Sequence, residues 1–227
     1  MPPAALAVLR PSTFYSERAK PLPPTVTDAL SYALYFACGK TSGPKATRDY
    51  SPSPSALHGS QRLRYNDGKL SFFNVEVNAY FASVAADFIR HKLIERSKSF
   101  TFETVMSFSD KIELLRKAQS RGYRTYLYYV ATEDPVINVS RVRYRVKMGG
   151  HSVPEDKIVS RYQRSLDLLV EAIQFTNRAY IFDNSTYKHI WLAEITDGHM
   201  LEMKTDLVPS WFKKALGSKF DIYCAQS

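Results

Sequence analysis

The stretch from Asn138 to Leu169 constrains the fold most, because its pattern predicts two helices joined by a glycine elbow. In its first arm, Val139, Val142 and Val146 recur at helical spacing and form one apolar face. Gly149-Gly150 follows directly, and glycine enters the left-handed conformations that end helices without a steric cost. The sequence therefore predicts a helix that stops at this glycine pair.

A second helix is predicted to start just after the elbow. Ser152 and Glu155 have the spacing of a capping box, in which each side chain bonds the other's backbone amide. Pro154 fits there, since proline is tolerated in a first helical turn. The buried stripe of this arm is predicted to consist of Ile158, Tyr162, Leu166, Leu169 and Ile173.

Arginines are dense on both arms of this predicted hairpin. Arg141 and Arg145 lie one turn apart on the first arm, while Arg161 borders the apolar stripe of the second and Arg164 lies further out. A guanidinium group donates two parallel hydrogen bonds to phosphate oxygens, so converging arginines are suited to holding a polyphosphate. The alternative is a basic helical hairpin whose arginines are simply solvated.

Composition narrows the class of protein and of partner. The 227 residues are 44% hydrophobic and 23% charged, which is typical of a soluble globular domain. A net charge of +9 favours acidic ligands such as nucleotides, sugar phosphates or nucleic acid. The two cysteines, Cys38 and Cys224, form neither a metal spacing nor a disulfide framework, and no apolar run is long enough to cross a bilayer. We expect a cytoplasmic protein without a membrane segment or a metal site.

Strand-like segments alternate with the helical ones and predict an α/β fold. The strands are expected at SFTFET, which ends at Glu103-Thr104, at Thr125–Val130 and at Ala179–Phe182, and Asp197-Gly198 predicts a C-terminal hairpin. This alternation favours a parallel sheet with helices on both faces and ligands beyond the carboxyl ends of the strands. The polar residues that follow these ends, and that we expect on one rim, are Glu103-Thr104, Thr132-Glu133 and Asp183-Asn184-Ser185.

The segment from about Asn74 to Asp206 resembles the zeta-toxin-like family of P-loop kinases, of the UDP-N-acetylglucosamine kinase type. The resemblance rests on SFTFETVMS, TYLYYVATEDP, SRVRYRVKMGGHSVPEDKIVSRYQRSL and AYIFDNS, in this order. It implies a P-loop kinase-like fold with a helical lid, and an ATP- and Mg²⁺-dependent kinase that phosphorylates a small sugar-nucleotide-like substrate. It also implies an antitoxin protein as a partner.

The resemblance assigns roles to particular residues. Glu103 and Thr104 would lie on the substrate side, and Arg145, Arg161 and Arg164 would act on the β- and γ-phosphates from the lid. The lid turn would consist of Gly149, Gly150, His151, Val153, Pro154 and Glu155.

The sequence departs from the family at the phosphate loop. Members carry GxxxxGK[ST] after a first strand, whose amides and lysine hold the phosphates and whose hydroxyl holds Mg²⁺. Here Gly39-Lys40-Thr41 is the remaining trace, with Lys40 and Thr41 as the ATP-binding candidates, and Leu34 stands where the first glycine belongs. Asp28 and Asp67 are the candidate positions for a catalytic base.

Each of these site residues also has a purely structural interpretation. Glu103 could cap or salt-bridge, and Arg145 and Arg161 could pair with surface carboxylates, which contributes at most about 1 kcal/mol. His151 fits a turn residue better than a catalyst, and the tyrosines Tyr126, Tyr128 and Tyr129 fit strand packing better than a base-stacking platform.

The sequence predicts two regions in the chain and leaves three candidate functions. Residues 1–70, rich in Pro, Ser and Thr, are predicted to be a poorly defined N-terminal region, and residues 71–227 a zeta-toxin-like kinase domain incomplete at its N-terminus. The first function is the kinase described above. The alternative is a catalytically inactive remnant that binds an anionic ligand or a protein through its arginine lid. Nucleic-acid binding ranks last, because the basic residues are expected on helices without interleaved exposed aromatic side chains.

Overall fold

The computed structural model of the chain describes residues 4–11, 63–66, 69–72 and 79–220. The strands are β1 (Ala4–Pro11), β2 (Leu63–Asn66), β3 (Lys69–Phe72), β4 (Phe100–Thr104), β5 (Tyr123–Ala131), β6 (Arg178–Asp183), β7 (Ile190–Thr196) and β8 (Met200–Met203). The helices are α1 (Ala79–Glu95), α2 (Asp110–Ser120), α3 (Pro135–Lys147), α4 (Glu155–Asp167), α5 (Leu169–Gln174) and α6 (Ser210–Phe220). None of the helices in these ranges is both long enough and apolar enough to span a membrane.

The chain divides into two compact units. The larger one contains β1 and the described residues from Leu93 onward, including the six-stranded sheet. The smaller one contains the two-stranded β2–β3 sheet and α1 as far as Lys92. The predicted division near residue 70 between an N-terminal region and a kinase domain stays a prediction.

The main sheet has the strand order β4-β1-β5-β6-β7-β8 and confirms the α/β fold class. Strands β5 and β6 pair in parallel, whereas β1 pairs antiparallel with both β4 and β5. It follows that β4, β5 and β6 all run in one direction and that β1 runs against them. The sheet is therefore mixed, where the sequence analysis expected a parallel one.

Strand β1 explains this correction. Its residues are apolar on both faces, since Ala5, Ala7 and Leu9 are buried in the main core while Leu6 and Val8 pack on the other face. A strand that is apolar on both sides is suited to the middle of a sheet. Its partner strands lie about a hundred positions away in sequence, so its direction could not be predicted locally.

The core lies between the sheet and one layer of helices. Strand β5 alternates: Leu127 and Tyr129 face the helices, and Tyr126 and Tyr128 face the other side. The helical side includes buried residues of α2, α4, α5 and α6. On the second face, all described residues of the apolar cluster come from strands, so within the described ranges the expected helices pack against one face.

The C-terminal hairpin is confirmed. Strands β7 and β8 pair antiparallel around Asp197 and Gly198, which have φ angles of 49° and 75°. The amide of His199 donates to the carbonyl oxygen of Thr196 at 3.2 Å and closes the turn. Two successive positive φ angles are what a type I′ hairpin turn requires.

The helical hairpin is also confirmed, with one local correction. Asp134 caps α3 by accepting from the amide of Val136 at 2.7 Å, and Gly149 forms the elbow with a φ of 87°. The predicted capping box at the start of α4 is wrong. Pro154 occupies the cap position without a side-chain bond, and the carboxylate of Glu155 instead accepts from Arg143 across the hairpin at 2.6 Å.

Candidate functional site at the carboxyl rim of the sheet

The carboxyl ends of β4, β5 and β6 lie on one rim of the sheet, as the sequence predicts. The register places Thr104 beside Ala5, and Ala131 beside Asp183. The residues that follow these strands therefore surround a common edge. The amino end of β1, at Ala4, lies on the same edge because that strand runs in the opposite direction.

Arg164 reaches the turn that follows β4. The amide of Met106 donates to Oγ1 of Thr104 at 3.1 Å, and Met106 has a φ of 55°, a left-handed conformation that methionine rarely adopts. Nε of Arg164 donates to the carbonyl oxygen of Ser107 at 3.3 Å, and its guanidinium lies 5.3 Å from the ring centre of Phe108. The structure thus brings Arg164 and Thr104, two predicted site residues, to one turn.

Glu103 and Thr104 point in opposite directions. Thr104 shares a face with Phe102, which is buried in the core beneath the helices. Glu103 lies opposite Leu6 of β1 and therefore faces the second side of the sheet. Its carboxylate is half-buried, and burial raises its pKa above the ordinary value. Within the described ranges Glu103 forms no hydrogen bond, so its acceptor oxygens are available.

The two other lid arginines differ in their surroundings. Arg161 is half-buried and has neither a hydrogen bond nor an ion pair among the residues that the structure describes. Arg145 lies against the elbow: its Nη2 donates to the carbonyl oxygen of His151 at 3.4 Å, while its buried Nε has no partner. A Cβ on Gly150 would stand 2.7 Å from Cγ of Arg145, so the absence of a side chain there makes room for this arginine. Among the residues that the structure describes, Arg145 thus bonds the lid turn and Arg161 has no bonding partner.

A hydrogen-bond network that the sequence did not predict connects the strand ends. Asp183 is buried and accepts from the amide of Ser185 at 2.9 Å, from its hydroxyl at 2.7 Å and from Nε1 of Trp211 at 2.8 Å. Oγ of Ser185 in turn accepts from the amide of Glu133 at 2.8 Å. The Asp-x-Ser spacing signals the local turn, but nothing in the sequence indicated Trp211.

Arg141 and Tyr162 fasten the two lid helices to this rim. Nη2 of Arg141 donates to the carbonyl oxygens of Asn184 at 2.7 Å and Thr186 at 3.3 Å. The hydroxyl of Tyr162 donates to the carbonyl oxygen of Thr132 at 2.7 Å, and burial raises the pKa of Tyr162 to about 12. The sequence showed Tyr162 as a core position and Arg141 as one of several helix arginines, without their partners.

A cavity of about 250 Å³ opens beside α4. Oε1 of Glu133 accepts from the amide of Ser210 at 3.1 Å, which fastens the start of α6 to the end of β5 next to this cavity. The lining residues are Glu133, Pro135, Val159, Tyr162, Gln163, Leu166, Ser210, Trp211 and Lys214. None of the predicted site residues is among them.

The described residues fit only part of an ATP site. Arg161 and Arg164 provide cationic donors for a polyphosphate. A phosphate loop, however, must follow a strand that ends at this rim, and β1 has its amino end there. No described segment could wrap the phosphates. Four predicted residues, Asp28, Lys40, Thr41 and Asp67, lie outside the described residues.

The mixed sheet and the helical lid over its carboxyl rim are consistent with a protein of the P-loop kinase-like class. A family model for the zeta toxin family matches residues 69–196, more than half of the chain. The chain belongs to the zeta toxin family.

The chain is also similar to a curated protein of Haemophilus influenzae that carries the description "Uncharacterized protein". The two are 32% identical over 72 residues, which cover 32% of this chain and 51% of that protein. The chain thus spans about half the length of this relative. No solved structure matches this chain significantly.

Proposed function

We propose that this chain binds a polyphosphate under its helical lid and acts as a kinase of the zeta toxin type. The donor would be ATP with Mg²⁺, and the acceptor a small sugar nucleotide related to activated N-acetylglucosamine. Membership of the zeta toxin family supports this choice of reaction. The same membership supports an antitoxin protein as a partner.

One observation carries the proposal: Arg164 donates to the carbonyl oxygen of Ser107, in the turn that follows β4 and Thr104. Arg161 lies one turn earlier on the same helix and has no protein partner within the described ranges. Two guanidinium groups at helical spacing, next to the carboxyl rim, suit the oxygens of a diphosphate or triphosphate. In a kinase such groups stabilise the charge that develops on the transferred phosphoryl group.

The acceptor side is assigned to Glu103. Its half-buried carboxylate has no hydrogen bond within the described ranges and faces the second side of the sheet. A carboxylate in this state accepts hydrogen bonds from the hydroxyl groups of a sugar. Donor and acceptor would then lie on either side of the rim, with Thr104 between them.

A second candidate function is binding without phosphate transfer. The direction of β1 favours it, because the strand between β4 and β5 presents its amino end where a phosphate loop would have to begin. In that case the arginine lid would hold an anionic ligand or an acidic protein, and no reaction would follow.

Thermal unfolding in the presence of ATP and Mg²⁺ tests the proposal. A ligand at one hundred times its Kd stabilises the folded state by about 2.7 kcal/mol, so we expect the Tm to rise by several degrees. Arg161→Met should abolish this rise. Arg143→Met is the matched control, since Arg143 is exposed and pairs with Glu155, and it should leave the rise intact. If millimolar nucleotide leaves the wild-type Tm unchanged, the binding proposal is wrong.

Transfer is tested separately, by following the γ-phosphate of labelled ATP onto a sugar nucleotide. Formation of a phosphorylated sugar nucleotide, reduced in Glu103→Gln, supports the kinase. A Tm shift without any transfer supports the second candidate.

A further inference from the structure

The three arginines of α3 that face other parts of the protein are all engaged by protein atoms. Arg141 donates to two carbonyl oxygens after β6, and Arg143 pairs with the carboxylate of Glu155. Arg145 donates to the carbonyl oxygen of His151 in the elbow. On α4, Arg164 donates to the carbonyl oxygen of Ser107 at 3.3 Å, whereas Arg161 has no partner in the described part of the chain. Arg161 therefore differs from the three arginines of the first arm.

We propose that Arg141 is a positioning residue that fixes the lid to the rim by bonding the carbonyl oxygens of Asn184 and Thr186. The first arm then serves as a rigid support, and the ligand contacts come from the second arm. The role of the second arm in ligand binding rests on the proposed function. The role of Arg141 in fixing the lid does not, since it concerns the protein without a ligand.

The loop that Arg141 bonds is itself held firmly. The amide of Asn184 donates to the carbonyl oxygen of Ala131 at 2.8 Å, and Ser185 bonds both Asp183 and Glu133. A side chain anchored to this loop is therefore anchored to the ends of β5 and β6 together. A planar guanidinium suits this task, because one nitrogen carries two N–H groups in fixed directions.

Other bonds hold the start of α3 and the middle of α4 to the same rim. Helix α3 is fastened at its first turns by the Asp134 cap and by Asn138, whose Nδ2 donates to Oγ1 of Thr132 at 2.8 Å. The apolar cluster that joins the two arms is small and consists of Val139, Val142 and Ile158, with Val153 packed against it. Arg141 adds a contact one turn beyond Asn138, so it limits rotation of α3 about its own start.

The electrostatics agree with this placement. Burial lowers the pKa of His189, and the charge of Arg141 lowers it further. The guanidinium thus acts on the loop after β6 as a close neighbour. Removing the charge should raise the pKa of His189, which NMR titration of its ring protons would detect.

Hydrogen exchange of the ligand-free protein tests the support directly. In Arg141→Met we expect the amides of Ser185 and Lys188 to exchange about tenfold faster, because the carbonyls of their loop lose a charge-assisted bond. Arg141→Lys should be intermediate, since an ammonium group cannot reproduce the fork. Arg143→Met should exchange like the wild type. Unchanged exchange in Arg141→Met would overturn the proposal.

The salt dependence of binding distinguishes a support from a ligand. Salt screens a charge pair between protein and ligand, so losing one such pair lowers the slope of log K against log salt. With tripolyphosphate as the probe, Arg161→Met should lower the slope, and Arg141→Met should weaken binding with the slope unchanged. Equal loss of slope in both variants would make Arg141 a phosphate ligand and overturn its positioning role. If the wild type binds no polyphosphate, the proposed function is wrong. The hydrogen-exchange measurement then still decides whether Arg141 fixes the lid to the rim.

Discussion

The hydroxyl of Tyr162 donates to the carbonyl oxygen of Thr132 at 2.7 Å, and this bond holds α4 over the carboxyl end of β5. Oγ1 of the same Thr132 accepts from Asn138 of α3 at 2.8 Å. One residue at the end of one strand is therefore bonded by both helices of the lid. The position of the arginines above the rim depends on this residue as much as on the helices themselves.

Replacing Tyr162 by phenylalanine should destabilise the protein by about 1–2 kcal/mol. Tyr162 is 5% exposed, so the carbonyl oxygen of Thr132 would lose a buried donor that water replaces poorly. Urea denaturation at neutral pH measures the loss. Tyr144→Phe, on the exposed side of α3, is the control and should change stability by less than about 0.5 kcal/mol. Equal effects in the two variants would contradict the prediction.

Glu103→Gln should stabilise the protein at neutral pH and have no such effect in acid. Burial raises the pKa of Glu103 above 4.5, so the folded state holds its proton more tightly than the unfolded state does. The stability of the wild type should therefore fall as pH rises from that value through the raised pKa. The glutamine variant lacks this loss. The urea midpoints of wild type and Glu103→Gln should therefore differ at pH 7 and agree at about pH 4. A stability gain of the variant that persists in acid would show that burial of the charge is not its cause.

The parts of the fold that sequence predicted correctly depend on neighbouring residues. Gly149-Gly150 ends a helix, and Asp197-Gly198 defines a hairpin turn, because each signal acts within a few bonds. Strand β1 shows the opposite case. Its apolar pattern is visible, but its place between β4 and β5 and its direction depend on residues about a hundred positions away.

In the candidate site, too, the positions along the strands were predicted correctly, whereas the contacts between distant residues were not. Strand polarity correctly placed Thr104, Thr132 and Asp183 on one rim. Helical spacing shows which face an arginine occupies, but not which carbonyl lies opposite. For this reason the sequence treated Arg145 and Arg161 as equivalent, whereas among the described residues Arg145 bonds the elbow and Arg161 has no partner.

Gly150→Ala should destabilise the lid turn by about 1–3 kcal/mol. The added Cβ would stand 2.7 Å from Cγ of Arg145 and 3.0 Å from its carbonyl oxygen, and a helix carbonyl cannot move away cheaply. Gly217→Ala is the matched control: its Cβ would meet only Cγ of Lys213, at 3.6 Å, inside α6. Alanine favours helices over glycine, so this variant should gain up to about 1 kcal/mol. A loss of stability in both variants, or in neither, would contradict the conclusion that Gly150 makes room for Arg145.

Trp211→Phe should cost about 2–4 kcal/mol, because it removes a buried donor from a buried carboxylate and leaves unfilled volume. Nε1 of Trp211 donates to Oδ2 of Asp183 at 2.8 Å, and both residues are almost fully buried. The other donors to Asp183 both come from Ser185.

A double-mutant cycle with Asp183→Ala separates the hydrogen bond from the lost volume. The volume term appears in Trp211→Phe whether or not the carboxylate is present, whereas the hydrogen-bond term disappears when Asp183 is changed. We therefore expect a coupling energy above about 1 kcal/mol from urea unfolding of the four proteins. Strictly additive losses would mean that the indole contributes only packing. A large coupling would mean that α6 fixes the position of Asp183 through Trp211. Asp183 accepts from Ser185, and Ser185 accepts from the amide of Glu133 at the end of β5. The C-terminal helix would then help to shape the rim on which the lid rests.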